Sequence, residues 1–70
     1  MNICGNLVED FIKEGENFVF GIINYEQKVY SLEKIENLIS KIGVKEIIDT
    51  YFEQIIFKSN DGEIYELGYL

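Results

Sequence analysis

The stretch SLEKIENLISKIG, Ser31 to Gly43, decides how the chain is divided. Leu32, Ile35, Leu38, Ile39 and Ile42 recur at three- and four-residue spacing, which on a helix makes one apolar stripe. Ser31 is an N-cap residue type, and Gly43 falls where a left-handed residue ends a helix. Glu33 and Glu36 lie toward the positive end of the helix dipole and Lys41 lies near its negative end. The stretch therefore reads as the central helix.

Strand-forming residues stand before it. Phe18, Val19, Phe20, Ile22 and Ile23 favour strand, Asn24 to Gln27 suit a turn, and Lys28 to Tyr30 return. Pairing Ile22 with Val29 would gather Phe18, Phe20, Ile22 and Val29 on one face and set Gly21 opposite Tyr30. Upstream, residues 2 to 15 read as a first helix. Ile3, Cys4, Leu7, Val8, Phe11 and Ile12 share a side, Asn2 or Asn6 serves as cap, and Gly15 is the stop.

After Gly43 the helical spacing persists through Val44, Ile47, Ile48 and Tyr51, which predicts a short second helix from Val44 to about Thr50. The remainder reads as a hairpin around Asn60-Asp61-Gly62, a type I turn closed by a left-handed glycine. That turn pairs Phe57 with Tyr65 and Ile55 with Leu67, so these four residues share one face. The expected fold is a single α+β domain over residues 1–70, in the order α-β-β-α-α-β-β. Its helices are expected to pack on one face of an antiparallel sheet.

The 70 residues bury only roughly 60% of the surface that the unfolded chain exposes, so stability depends on efficient packing. A hydrophobic share of 47%, with five Phe and five Tyr, is enough for a core and argues against disorder. Thirteen acidic residues oppose six lysines, giving a net charge of −7 and a pI near 4.3. Direct nucleic-acid binding and anionic membranes are disfavoured by that sign. Basic partners are favoured, because opposite fields speed encounter. The lone Cys4 rules out an internal disulfide framework and reads as a small core residue. With no signal-peptide pattern, the expected location is the cytoplasm.

No chemistry-bearing motif stands out. Histidine is absent, so the commonest general base and metal ligand is missing, and Cys4 has no histidine to activate it. The turn Ser59 to Glu63 resembles a calcium loop only superficially: aligning Gly62 with that loop's glycine puts Phe57 and Gly68 at ligand positions. No enzyme activity, cofactor or metal is expected.

The charge is unevenly distributed. Glu9, Asp10, Glu14, Glu16 and Glu26 against Lys13 give residues 1 to 27 a net −4. Glu46, Asp49, Glu53, Asp61, Glu63 and Glu66 against Lys58 give residues 46 to 70 a net −5. On the expected second helix Glu46, Asp49 and Glu53 would form a stripe opposite Ile47, Ile48 and Tyr51. Carboxylates along a rigid face can imitate phosphates and occupy a basic channel. Glu46, Asp49 and Glu53, with Glu9, Asp10, Glu63 and Glu66, are the candidate partner-binding residues.

The expected function is a small interaction module for a basic protein, in its sharpest form an inhibitor of a nucleic-acid-binding enzyme. Small acidic phage inhibitors, including anti-CRISPR proteins, are similar in size and charge, as are antitoxin- and immunity-type proteins. The rival expectation is a structural module that forms homodimers through exposed sheet edges and interface-prone tyrosines.

Overall fold

A computed structural model describes the backbone of residues 3–70 and the side chains of residues 7–70. In chain order the elements are α1 Ile3–Ile12, β1 Asn17–Ile22, β2 Lys28–Ser31, α2 Leu32–Ile42, β3 Val44–Thr50, β4 Gln54–Ser59 and β5 Ile64–Tyr69. The alternative caps Asn2 and Asn6 and the burial of Cys4 lie outside the described side chains.

The central helix forms where its sequence places it. The Ser31 hydroxyl accepts the Lys34 backbone N–H at 3.4 Å, satisfying one of the first-turn donors. At the other end the Gly43 N–H donates to the Ile39 carbonyl at 2.9 Å. Gly43 has φ 71°, a conformation that costs glycine little because it has no Cβ. Ile35 and Ile39 are buried, and Leu32, Leu38 and Ile42 pack partly buried against the same core.

All five strands join one antiparallel sheet in the order β2-β1-β5-β4-β3. The β1–β2 and β4–β5 hairpins thus lie side by side, joined through β1 and β5. The C-terminal hairpin has its expected register: Phe57 pairs with Tyr65 and Ile55 with Leu67. Its turn closes through Gly62, at φ 93°, whose N–H donates to the Ser59 carbonyl at 3.0 Å.

The first hairpin departs from expectation. Val19, not Ile22, pairs with Val29, and Phe18 pairs with Tyr30. A shift of three residues flips one strand relative to the other. Val29 is therefore 58% exposed, while the Tyr30 ring meets Phe20 edge-on with centroids 6.1 Å apart. Ile22 lies beyond the β2 pairing: its carbonyl accepts the Tyr25 N–H at 3.0 Å and the Gln27 side-chain amide at 3.1 Å within the turn, so no β2 residue reaches it. Gly21 does not make room for Tyr30; a Cβ there would meet the Glu26 carbonyl oxygen at 2.7 Å.

The larger correction is β3. Val44 to Thr50 is a strand, not a helix, so the order is α-β-β-α-β-β-β. Its register against β4 slips between Val44 and Glu46 and again between Ile47 and Asp49. Each slip sets two residues of β3 against one of β4, as a β-bulge does. Val44, Ile47 and Thr50 consequently face Ser59, Phe57 and Ile55, at a spacing of three rather than two. That spacing mimics a helical period.

The buried residues form one cluster: Val8 and Ile12 of α1, Phe18 and Phe20 of β1, Ile35 and Ile39 of α2, Val44 of β3, Ile55 and Phe57 of β4, and Leu67 of β5. Tyr65 stacks on Phe20 at 5.0 Å and on Phe57 at 5.8 Å, which ties β1, β5 and β4 together. Full burial of a residue such as Phe18 or Phe57 is worth about 1.5–3 kcal/mol. No helix among the described residues is long and apolar enough to cross a membrane.

Candidate protein-binding surface

The turn from β3 to β4 is tight. The Tyr51 N–H donates to the Gln54 carbonyl at 2.7 Å, which leaves Phe52 and Glu53 at its centre. Phe52 is 95% exposed and Tyr51 55% exposed. Asp49 fixes the approach to this turn. One of its carboxylate oxygens accepts the Thr50 N–H at 2.9 Å and the other accepts the Tyr51 hydroxyl at 2.8 Å. That hydrogen bond, with the nearby Asp49 charge, raises the pKa of the Tyr51 phenol.

Two clefts flank the turn. One runs between α1 and the turn and is lined by Leu7, Asp10, Phe11, Tyr51, Gln54 and Ile55. The other is lined by Glu14, Phe52, Glu53, Tyr69 and Leu70. Phe11 of the first and Tyr69 of the second stack flat, with centroids 4.3 Å apart and 6° between planes. The Tyr69 hydroxyl also donates to the Phe11 carbonyl at 2.5 Å, and burial raises the Tyr69 pKa, followed by the Glu14 charge. This stacked pair connects the two clefts, so residues 10, 14 and 53 supply carboxylates to one end of the molecule.

The expected acidic stripe does not exist in its expected form, because the helix that would carry it is a strand. Glu46 sits on β3 opposite Lys58, an arrangement in which opposite charges attract across strands. Asp49 is occupied by Thr50 and Tyr51, and Glu53 projects from the turn. Glu9 lines a separate cleft with Lys13, Glu36 and Ser40 around Ile12 and Ile39, so the neighbours Glu9 and Asp10 serve different surfaces. Glu63 is exposed at the β4–β5 turn, at the other end of β4 from Phe52. Glu66 is half-buried on β5 and accepts a hydrogen bond from the Gln54 side-chain amide.

Of the seven candidates, Asp10 lines the cleft on one side of the turn with Tyr51, and Glu53 lines the cleft on the other side with Glu14 and Phe52. The sequence signal for these aromatics was the pair Tyr51-Phe52 beside Glu53, which a helical reading places at a helix end. Among the described residues no group of three His, Cys, Asp or Glu side chains is placed to hold a metal ion. Asp61 instead serves its own turn. It accepts the buried Ser59 hydroxyl and, at 3.1 Å, the Glu63 N–H, and these bonds lower its pKa, Ser59 contributing most. Comparison with protein-family models, curated proteins and solved structures finds no match.

Proposed function

We propose that this chain is a protein-binding module whose acidic surface engages a basic partner. The observation that carries the proposal is that the clefts on the two sides of the β3–β4 turn each pair carboxylates with an exposed aromatic, Asp10 with Tyr51 in one and Glu14 and Glu53 with Phe52 in the other. A charge that only kept the chain soluble would have no reason to gather around exposed aromatic surface. Every Asp and Glu side chain except half-buried Glu66 is exposed, so the negative field is fully presented to solvent. The reading takes both helices to cover one sheet face, leaving the Phe52 end open to a partner.

In its sharper form the module is an inhibitor. A basic channel built for nucleic acid would accept such carboxylates in place of phosphates. The rival homodimer through sheet edges is less favoured, because the β3 edge is interrupted by two bulges and the β2 edge is only four residues long.

The test is affinity capture from a cell lysate by the wild type and by a variant carrying Asp10→Lys, Glu14→Lys and Glu53→Lys. Basic proteins that are retained by the wild type, released by salt and lost by the variant support the proposal. An unchanged set of retained proteins contradicts it.

A further inference from the structure

We infer that the β3–β4 turn is an anchor point for a basic amphipathic peptide segment. Apolar side chains of that segment enter the clefts on the two sides of the turn, against Phe11 and Tyr51 in one and Phe52 in the other, while its lysines or arginines meet Asp10 at the first and Glu14 and Glu53 at the second. The inference rests on the basic-partner reading above and narrows it to a place and a peptide chemistry.

Phe52 is the first reason. Central turn positions favour Gly, Asn, Asp and Ser, each for a backbone reason that phenylalanine does not supply. Exposing a large aromatic forgoes burial worth about 1.5–3 kcal/mol, a substantial loss in so small a domain. Neither local structure nor the core accounts for Phe52, whereas interface cores are enriched in Phe, Tyr and Trp. Tyr51 beside it is already fixed by Asp49, so little side-chain freedom is lost when a partner covers it.

Size and charge identify the occupant. The clefts measure about 310 and 480 Å³, at the small end of ligand sites, which suits one or two side chains. Neither is lined by a lysine, in contrast to the Glu9 cleft, which includes Lys13. Nucleic acid would be repelled by the three carboxylates. A second copy seated here by two-fold symmetry would set those carboxylates against their own counterparts, a juxtaposition that disfavours association. A segment alternating cationic and apolar side chains satisfies both the charge and the surface.

The test uses short peptides of alternating lysine and leucine, lysine and serine, or glutamate and leucine, titrated into the isotopically labelled chain. The lysine–leucine peptide is expected to shift the amide signals of Phe11, Tyr51, Phe52 and Gln54. Phe52→Ser is expected to weaken it about tenfold or more, as loss of an interface anchor does. Signals remote from the turn report whether that variant keeps its fold, and Asp10→Asn provides a second variant that is expected to weaken binding. Equal binding of the lysine–serine peptide would remove the apolar anchor while leaving the basic-partner reading standing. Equal binding of the glutamate–leucine peptide would remove the charge requirement. Failure of both lysine peptides would overturn the anchor and the basic-partner reading together. A wild-type dimer that Phe52→Ser converts to monomer would make the occupant a second copy and overturn the inference.

Discussion

The Tyr69 ring lies flat on Phe11, centroids 4.3 Å apart, and its hydroxyl donates to the Phe11 carbonyl 58 residues earlier in the chain. One side chain at the end of β5 thus fastens the last turns of α1. Tyr69→Phe keeps the stack and loses the hydrogen bond, so it is expected to lower stability by about 1 kcal/mol. Tyr69→Ala loses both and is expected to cost about 3 kcal/mol. Urea titration of the three proteins measures both values.

Tyr69 and Tyr65 also predict an alkaline limit. Burial is the largest cause raising both pKa values, with the charges of Asp61 and Glu63 adding to Tyr65 and that of Glu14 to Tyr69. In the unfolded chain these phenols ionise near pH 10, while the folded chain holds their protons longer. Their stabilising contribution is therefore complete below about pH 10 and is lost as pH rises through the folded values. Thermal melts across this range should show the decline, and Tyr69→Phe should reduce it.

Gly43 and Asn60 are closely apposed. The Asn60 N–H donates to the Ile42 carbonyl at 3.2 Å, and its side-chain amide fills the position that a Gly43 Cβ would take. Gly43→Ala meets both this obstruction and a φ of 71°, so a loss above about 1 kcal/mol is expected. Asn60→Ala in the same chain should recover part of the loss, since it relieves the contact but not the backbone strain. Additive losses in the double variant would contradict the contact.

The bulged strand makes an unusual prediction about deletions. Lys45 is the extra β3 residue at the first slip, between Val44 opposite Ser59 and Glu46 opposite Lys58, so its removal leaves the facing of Glu46 and Ile47 unchanged. Deletion of Lys45 is expected to give a folded protein, at a cost below about 2 kcal/mol. Deletion of Ile56 from the regular strand β4 shifts one side of the strand by a residue and turns Phe57 or Ile55 away from the core. That variant is expected not to fold, as circular dichroism and amide spectra will show.

The parts of the fold that were legible in the sequence are those set by local chemistry. Ser31 and Gly43 bound α2 through contacts within a few residues, and Asn60-Asp61-Gly62 dictates the register of Phe57 on Tyr65. β3 reads as a helix because Val44, Ile47, Ile48 and Tyr51 keep helical spacing, but its bulges let Val44 and Ile47 reach the core three residues apart on a strand while Ile48 and Tyr51 are exposed. The β1–β2 register differs from the expected one because the turn's own groups, the Tyr25 N–H and the Gln27 side-chain amide, take the Ile22 carbonyl. The candidate surface was half visible. Charge singles out Asp10 and Glu53, but their places beside Tyr51 and Phe52 on the two sides of the turn depend on the packing of α1 near the β3–β4 turn, which no local pattern encodes.

The affinity of a fluorescently labelled lysine–leucine peptide for the wild type and for the Asp10→Lys, Glu14→Lys, Glu53→Lys variant decides whether the carboxylates around the turn hold a basic segment. Anisotropy at about 50 and 300 mM salt spans a range over which exposed charges become screened. Wild-type binding is expected to weaken with salt, and the folded variant is expected not to bind at either concentration. Equal affinities for the wild type and the variant would contradict that role of the carboxylates.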